Sequence, residues 1–190
     1  MVEHEIKERL IFLRTFLKNP KEVGSITPSS RFLQESMLRH VDFRKARHIV
    51  EYGAGTGILT REILKHARPD ARILCFETNR KFCRYLKNHF NDMRLTIIND
   101  SAENISQHLH RHNMLSIDYA LSSLPFSNLA ESEKARIMQG TRAALARSGS
   151  FILYKYTVNF RQYLKYYFRR ISRIFVPLNL PPTFVYICQK

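Results

Sequence analysis

The residues best suited to chemistry begin in one short segment, Glu51-Tyr52-Gly53-Ala54-Gly55-Thr56-Gly57, which follows the apolar pair Ile49-Val50 and precedes a helical stretch from Leu59 to His66. Glycine lets a backbone turn sharply and approach a ligand with no Cβ in the way. The spacing is Gly-x-Gly-x-Gly, not the Gly-x-Gly-x-x-Gly of dinucleotide enzymes. Glu51 sets a carboxylate at this turn, where it can supply negative charge to an ammonium, partly through water. Glu77 ends a second apolar run, 20 positions after Gly57, and a carboxylate there can accept both hydroxyls of a ribose. Asn99-Asp100-Ser101-Ala102 ends a third, where Asp100 reads either as a helix cap or as a ligand residue. Ser122-Ser123-Leu124-Pro125-Phe126-Ser127 ends a fourth. Ligands of open parallel sheets lie beyond the carboxyl ends of the strands, so these segments belong where such a site would be.

The elements that must position them alternate. Strands are predicted at His48 to Tyr52, Ile73 to Glu77, Leu95 to Ile98, Ile117 to Ser122 and Ser150 to Tyr156, and each of the first four leads into a segment that reads as helix or helix entry. This alternation predicts a parallel sheet covered on both faces. An aromatic helix is expected from about Phe160 to Arg170, and strands near Ile171 to Val176 and Thr183 to Cys188 close the edge as a hairpin-like pair. Ahead of the sheet, Glu5 to Lys18 carries Ile6, Leu10, Leu13, Phe16 and Leu17 at helical spacing, and Asn19-Pro20 ends it. Ser29 or Ser30, after Pro28, can cap a helix from Arg31 to His40. The expectation is one domain over residues 1–190, with an N-terminal amphipathic helix and lid over 1–40 and the core over 41–190.

Seven strands in this order match the class I methyltransferase sheet, a Rossmann-like α/β fold, mostly parallel, with helices on both faces. The cofactor of that class is S-adenosylmethionine. There the turn of Gly53, Gly55 and Gly57 packs against the amino-acid portion of the cofactor, with Glu51 serving its ammonium and Glu77 its ribose. Asp100 reaches the adenine amino group, the backbone of Ser101 and Ala102 reaches a ring nitrogen, and Ser29 and Ser30 complete the cofactor set. The fourth strand end then faces the transferred methyl. Adenine-N6 and related amine methyltransferases carry an Asn or Asp-Pro-Pro-aromatic tetrapeptide there, or Asn-Leu-Pro-Phe. Its first residue holds the target nitrogen and its aromatic stacks on the base. Here the first residue is Ser123, a shorter group with fewer bonds to give, which fits a nucleobase less well.

The chain resembles the bacterial phospholipid N-methyltransferase family, relatives of the ribosomal RNA adenine dimethylases. The resemblance rests on Phe16-Leu17-Lys18-Asn19-Pro20-Lys21-Glu22-Val23-Gly24-Ser25 with Thr27-Pro28-Ser29-Ser30, then Glu51 to Gly57, Ser123-Leu124-Pro125, Phe151 to Tyr156 and Asn179-Leu180-Pro181-Pro182. One departure is the fifth strand, where Leu153-Tyr154-Lys155-Tyr156 replaces a Gln-Phe-Thr-Tyr-like stretch. The resemblance implies methyl transfer to the amine of phosphatidylethanolamine or a similar aminolipid. Ser123, Tyr156 and the Ser29-Ser30 turn are candidates for positioning that amine. Tyrosine faces could also hold a methylated ammonium. Alternation along the strand is expected to let only one of Tyr154 and Tyr156 face the site, the other packing in the sheet.

Composition fits such a partner. Lys and Arg number 31 against 16 acids, a net charge of +15, and from Lys134 to Lys190 there is no Asp or Glu. An anionic membrane surface or a nucleic acid is implied. The N-terminal helix can lie in a membrane interface or simply cap the sheet. Tyr163, Tyr166, Tyr167 and Phe168 beside Arg169 and Arg170 also suit an interface. Glu3, His4, Glu5 and Lys7 stand where a signal peptide would be basic and then apolar. The chain is therefore expected in the cytoplasm, peripheral on the inner face of the membrane. Cys75, Cys83 and Cys188 lack metal-ligand spacing, and no metal is expected. Two readings compete with the lipid enzyme. One is an RNA adenine methyltransferase, and the other is a non-catalytic protein that binds an anionic surface on a methyltransferase scaffold.

Overall fold

The computed structural model describes residues 31–156, 159–179 and 181–190. The chain runs α1 (Arg31–Leu38), β1 (His48–Tyr52), α2 (Ile58–His66), β2 (Arg72–Phe76), α3 (Arg80–His89) and β3 (Leu95–Ile98). A 3-10 turn at Ala102–Asn104 leads into α4 (Ile105–Arg111), then β4 (Ile117–Ser122) and a second 3-10 turn at Phe126–Asn128. The remainder is α5 (Glu131–Ala144), β5 (Leu145–Lys155), α6 (Phe160–Leu164), β6 (Arg170–Val176) and β7 (Thr183–Gln189).

All seven strands form one sheet in the order β3-β2-β1-β4-β5-β7-β6. The first five pair in parallel, while β7 is antiparallel to both β5 and β6. The expected architecture of a mostly parallel sheet with helices on both faces is therefore present. The central strands are apolar because helices cover both of their faces. Val50, Tyr52, Leu74, Phe76, Phe151 and Leu153 point into the layer with α4, α5 and Leu164 of α6. Ile49, Ile73, Leu121 and Ile152 point into the opposite layer with α1 and α2. Local chemistry sets the start of α3: Asn79 caps it, its Oδ1 accepting from the Lys81 and Phe82 amides at 2.9 and 3.4 Å.

Two elements depart from expectation. The aromatic helix stops at Leu164, and Arg170 already pairs with Gln189 in β6. The pull of a seven-residue antiparallel ladder outweighs the local helical spacing of Tyr163 and Tyr167. The fifth strand starts at Leu145, not Ser150, with a register shift against β4 between Ile117 and Tyr119. Gly149 makes this possible, because a Cβ there would lie 2.9 Å from the Ile117 carbonyl oxygen. The expected helix over Glu5 to Lys18, the lid over 1–40 up to Arg31, and Ser29 and Ser30 lie outside the described residues.

Candidate functional site

Parallel register gathers the predicted residues at one edge. Tyr52 pairs with Phe76 and with Ser122, Phe76 with Ile98, and Ser122 with Leu153. The next residue on each strand, namely Gly53, Glu77, Asn99 and Ser123, therefore continues the row past the carboxyl end of the sheet. Three backbone bonds extend the ladder by this one step. Gly53 N donates to Phe76 O at 2.8 Å, Glu77 N to Ile98 O at 3.0 Å, and Ser123 N to Tyr52 O at 2.9 Å.

The glycine turn leaves β1 with all three glycines at positive φ: +75° at Gly53, +55° at Gly55 and +78° at Gly57. L-residues avoid this region, so the shape of the turn requires glycine. Their surroundings differ. A Cβ at Gly53 would meet Leu124 Cδ2 at 3.1 Å, and one at Gly57 would meet the Phe90 ring at 2.5 Å and Leu86 at 2.7 Å. A Cβ at Gly55 would meet nothing within 4 Å, so this backbone faces open space at the strand ends.

Glu51 lies beneath the turn and is fully buried. Its Oε2 accepts from Thr60 Oγ1 at 2.7 Å, while Oε1 has no hydrogen-bond partner among the described residues. Burial raises the carboxyl to about 7, against the opposing pull of the Thr60 hydroxyl and the weakly donating Cys75 thiol, with the Glu77 charge adding to the rise. An unpaired buried acceptor costs about 1–3 kcal/mol. A cationic donor arriving above the turn would relieve that cost.

Glu77 is nearly buried and fastens the turn from the next strand. Its Oε2 accepts from the Gly55 amide at 2.9 Å and its Oε1 from the Asn79 amide at 2.8 Å. A carboxylate has about four lone-pair sites, so two remain for hydroxyl donors. Asn99, which the sequence reading passed over, ties β3 to β2 by donating from Nδ2 to the Glu77 and Thr78 carbonyls, each at 2.9 Å.

Asp100 is held by three neighbours. Its Oδ1 accepts from the Ser101 amide at 2.8 Å and from Asn104 Nδ2 at 2.9 Å, which braces the turn leading to α4, a turn capped by Ser101. Its Oδ2 pairs with His108 Nε2 at 2.8 Å. These bonds, the one from His108 first, hold the Asp100 carboxyl below the usual carboxylate range. The Ser101 amide, expected to face a ring nitrogen, is spent on Asp100, and the Ser101 hydroxyl accepts from the Glu103 amide at 3.3 Å. Ala102 is buried. Neither Thr60 nor His108 was singled out from the sequence. Each is found only through the helix that brings it, nine positions on from Glu51 and eight from Asp100.

The acceptor side follows β4. Ser122 Oγ accepts from the Leu124 amide at 3.2 Å, which turns the chain so that Phe126 is buried against Phe160, their centroids 5.7 Å apart. Phe126 thus serves the core and is not free to stack on a base. Tyr154 and Tyr156 meet edge-on at 6.0 Å. Tyr156 stands one residue past the end of β5, and the ring contact puts it on the same side as Tyr154, which corrects the expectation that alternation lets only one of them face the site. Beyond α6, a surface cavity of about 480 Å³ is lined by Asn159, Arg161, Gln162, Lys165 and Arg173. Among the described residues no group of three His, Cys, Asp or Glu could hold a metal ion, and no helix is long and apolar enough to cross a membrane.

The residues present fit S-adenosylmethionine. Gly55 leaves a cradle that a Cβ would begin to fill, the buried Glu51 lacks a partner for Oε1, and Glu77 has acceptor capacity to spare. Comparison with known proteins agrees. The family model for ribosomal RNA adenine dimethylase matches residues 8–123. An ornithine lipid N-methyltransferase from Singulisphaera acidiphila is 27% identical over 186 residues, 97% of each chain. Among solved structures, a 1,6-didemethyltoxoflavin-N1-methyltransferase from Burkholderia thailandensis, bound to its substrate and S-adenosylhomocysteine, has a TM-score of 0.67 at 12% identity, covering 97% of this chain and 89% of that one. A TehB-like S-adenosylmethionine-dependent methyltransferase from Corynebacterium glutamicum gives 0.66 at 14%, covering 95% and 98%. At such identities the likeness to solved structures is one of fold.

Proposed function

The chain belongs to the ribosomal RNA adenine dimethylase family, and from that premise we propose that it N-methylates an aminolipid head group, carrying phosphatidylethanolamine towards phosphatidylcholine at the inner surface of the cytoplasmic membrane. The enzyme is an S-adenosylmethionine-dependent methyltransferase that acts on a lipid. The observation that supports a lipid acceptor over RNA is the reach of the match to the lipid N-methyltransferase. It runs over 97% of both chains, whereas the family model stops at Ser123, before the rest of the acceptor loop and the whole closing edge. Residues 1–190 act as one catalytic domain in this reading, with 1–40 as a helical lid.

Bound S-adenosylmethionine supplies a methyl group on a sulfonium that needs no further activation to leave. The chain's part is alignment. Glu51 holds the cofactor's ammonium end, Gly53, Gly55 and Gly57 let the backbone lie close beneath it, and Glu77 accepts from the ribose. Asp100 offers its remaining lone pair to the adenine amino group, and Ser101 and Ala102 shape the wall beside it. Ser29 and Ser30 are assigned to the same set. Ser123 and Tyr156 position the acceptor. The amine must be neutral to attack, and an alkylammonium ordinarily titrates near 10.4. A partly desolvated pocket lowers that value, and a nearby hydroxyl or water can take the proton. The basic cavity at Arg161, Lys165 and Arg173 supports docking on an anionic surface, where each such residue contributes about 1 kcal/mol.

RNA adenine is the second reading, favoured by the family model itself. Expression in a bacterium whose membrane holds phosphatidylethanolamine but no methylated lipid separates the two. The lipid reading expects mono- and dimethylated head groups in the extract, and none with Gly55→Arg. An unmodified lipid extract together with newly methylated adenine in RNA would overturn it.

A further inference from the structure

Lys155 ends the fifth strand, and the cofactor residues do not use it. It lies two positions beyond Leu153, the partner of Ser122, and therefore at the mouth of the site beside the acceptor loop. Its neighbours Leu153 and Phe151 point into the layer of α4 to α6, so Lys155 faces that side, opposite the tyrosine pair. Its Nζ donates to Ser127 Oγ at 3.2 Å and stands 5.1 Å from the centroid of the Phe160 ring. The backbone is pinned as well, because Thr183 Oγ1 donates to Lys155 O at 3.0 Å.

An ammonium has three donors, and Ser127 takes one of them. Among the described residues no carboxylate pairs with Lys155. The neighbouring Lys134 is occupied by Glu131 at 2.6 Å. Partial burial, with the like charge of Lys134, pulls Lys155 below the usual lysine range. An anion beside it would relieve both. Among the described residues this cation is thus fixed in place by Ser127, has no counter-ion and sits next to the loop that receives the acceptor. Aminolipid head groups carry a complementary group close to the amine, a phosphate in ethanolamine phospholipids and a carboxylate in ornithine-type lipids.

We propose that Lys155, seated by Ser127 and Phe160, binds the anionic group of a zwitterionic aminolipid head group and thereby selects which amine is presented for methylation. The proposal rests on the aminolipid reading above. Its test compares wild type, Lys155→Met and Lys155→Arg on three acceptors in neutral detergent micelles: phosphatidylethanolamine, an ornithine lipid, and a long-chain primary amine with no anion. Lys155→Met should raise KM about tenfold or more for whichever zwitterionic lipid is the substrate. It should change the long-chain amine by about twofold at most and leave S-adenosylmethionine affinity unaltered, and Lys155→Arg should restore most of the loss. The two lipid arms distinguish phosphate from carboxylate. As a readout apart from turnover, phosphoethanolamine or ornithine, but not ethanolamine, should protect Lys155 from amine acylation in the S-adenosylhomocysteine complex. Equal losses on all three acceptors, or no loss, would overturn the inference while the aminolipid reading stands. Wild-type activity on RNA and on none of the lipids would overturn that reading first, and the inference with it.

Discussion

Burial holds the Glu51 carboxyl at about 7 in the folded chain, against an ordinary 4.5. Between these values the folded protein keeps a proton that the unfolded chain has released. The stability tied to this group is therefore full below about 4.5, falls as pH rises and levels off above about 7, a loss on the order of 3 kcal/mol. Glu51→Gln should flatten that part of the pH profile and raise the melting temperature of the ligand-free protein at pH 8, as thermal melts at pH 5 and 8 would record. The same carboxyl must ionise to serve an ammonium. Calorimetry in buffers of different ionisation heat should show proton release on S-adenosylmethionine binding near pH 7, with affinity rising from pH 6 to 8. Glu51→Gln should abolish the release and weaken binding about 10- to 100-fold. Unchanged affinity would remove Glu51 from the site. The sequence displays Glu51 but not its partner, because Thr60 reaches it only after α2 has formed.

At the scale of elements, the glycine turn separates two demands that its sequence spacing merges. Gly57 sits under α3, where a methyl group would enter the Phe90 ring and Leu86 at a φ of +78°. Gly57→Ala should therefore destabilise by roughly 2–4 kcal/mol, combining left-handed strain with overpacking. Gly55→Ala meets no atom within 4 Å and should cost only about 1 kcal/mol of stability, yet weaken the cofactor by occupying its space. Urea melts and cofactor titration of the pair would show opposite rankings, and equal destabilisation would contradict the assignment. Strands β1, β3 and β4 were legible to the residue, since each is an apolar run ended by glycine or a polar residue. The start of β5 was not, because Ala146-Arg147-Ser148-Gly149 lacks apolar alternation and becomes strand only against β4. The end of α6 was hidden as well. Tyr163, Tyr166, Tyr167 and Phe168 suit either period, and only pairing with β7 assigns Arg170 to a strand.

The whole molecule carries +15, and its acid-free stretch from Lys134 onward supplies every cation of the cavity lined by Arg161, Lys165 and Arg173. Exchanging those three for alanine should weaken flotation with anionic vesicles by about 3 kcal/mol at low salt, and by less as salt screens the surface. Cofactor affinity should not change. Composition made an anionic partner legible, but it could not say where the charge gathers, since Arg173 joins Arg161 and Lys165 only when β6 folds beside α6.

Lipid and RNA acceptors are told apart by incubating the purified protein with methyl-labelled S-adenosylmethionine, anionic vesicles with or without phosphatidylethanolamine, and total RNA in one mixture, then partitioning the label. Label should enter the lipid extract only when the aminolipid is present. Label in the RNA with none in lipid would overturn the aminolipid assignment.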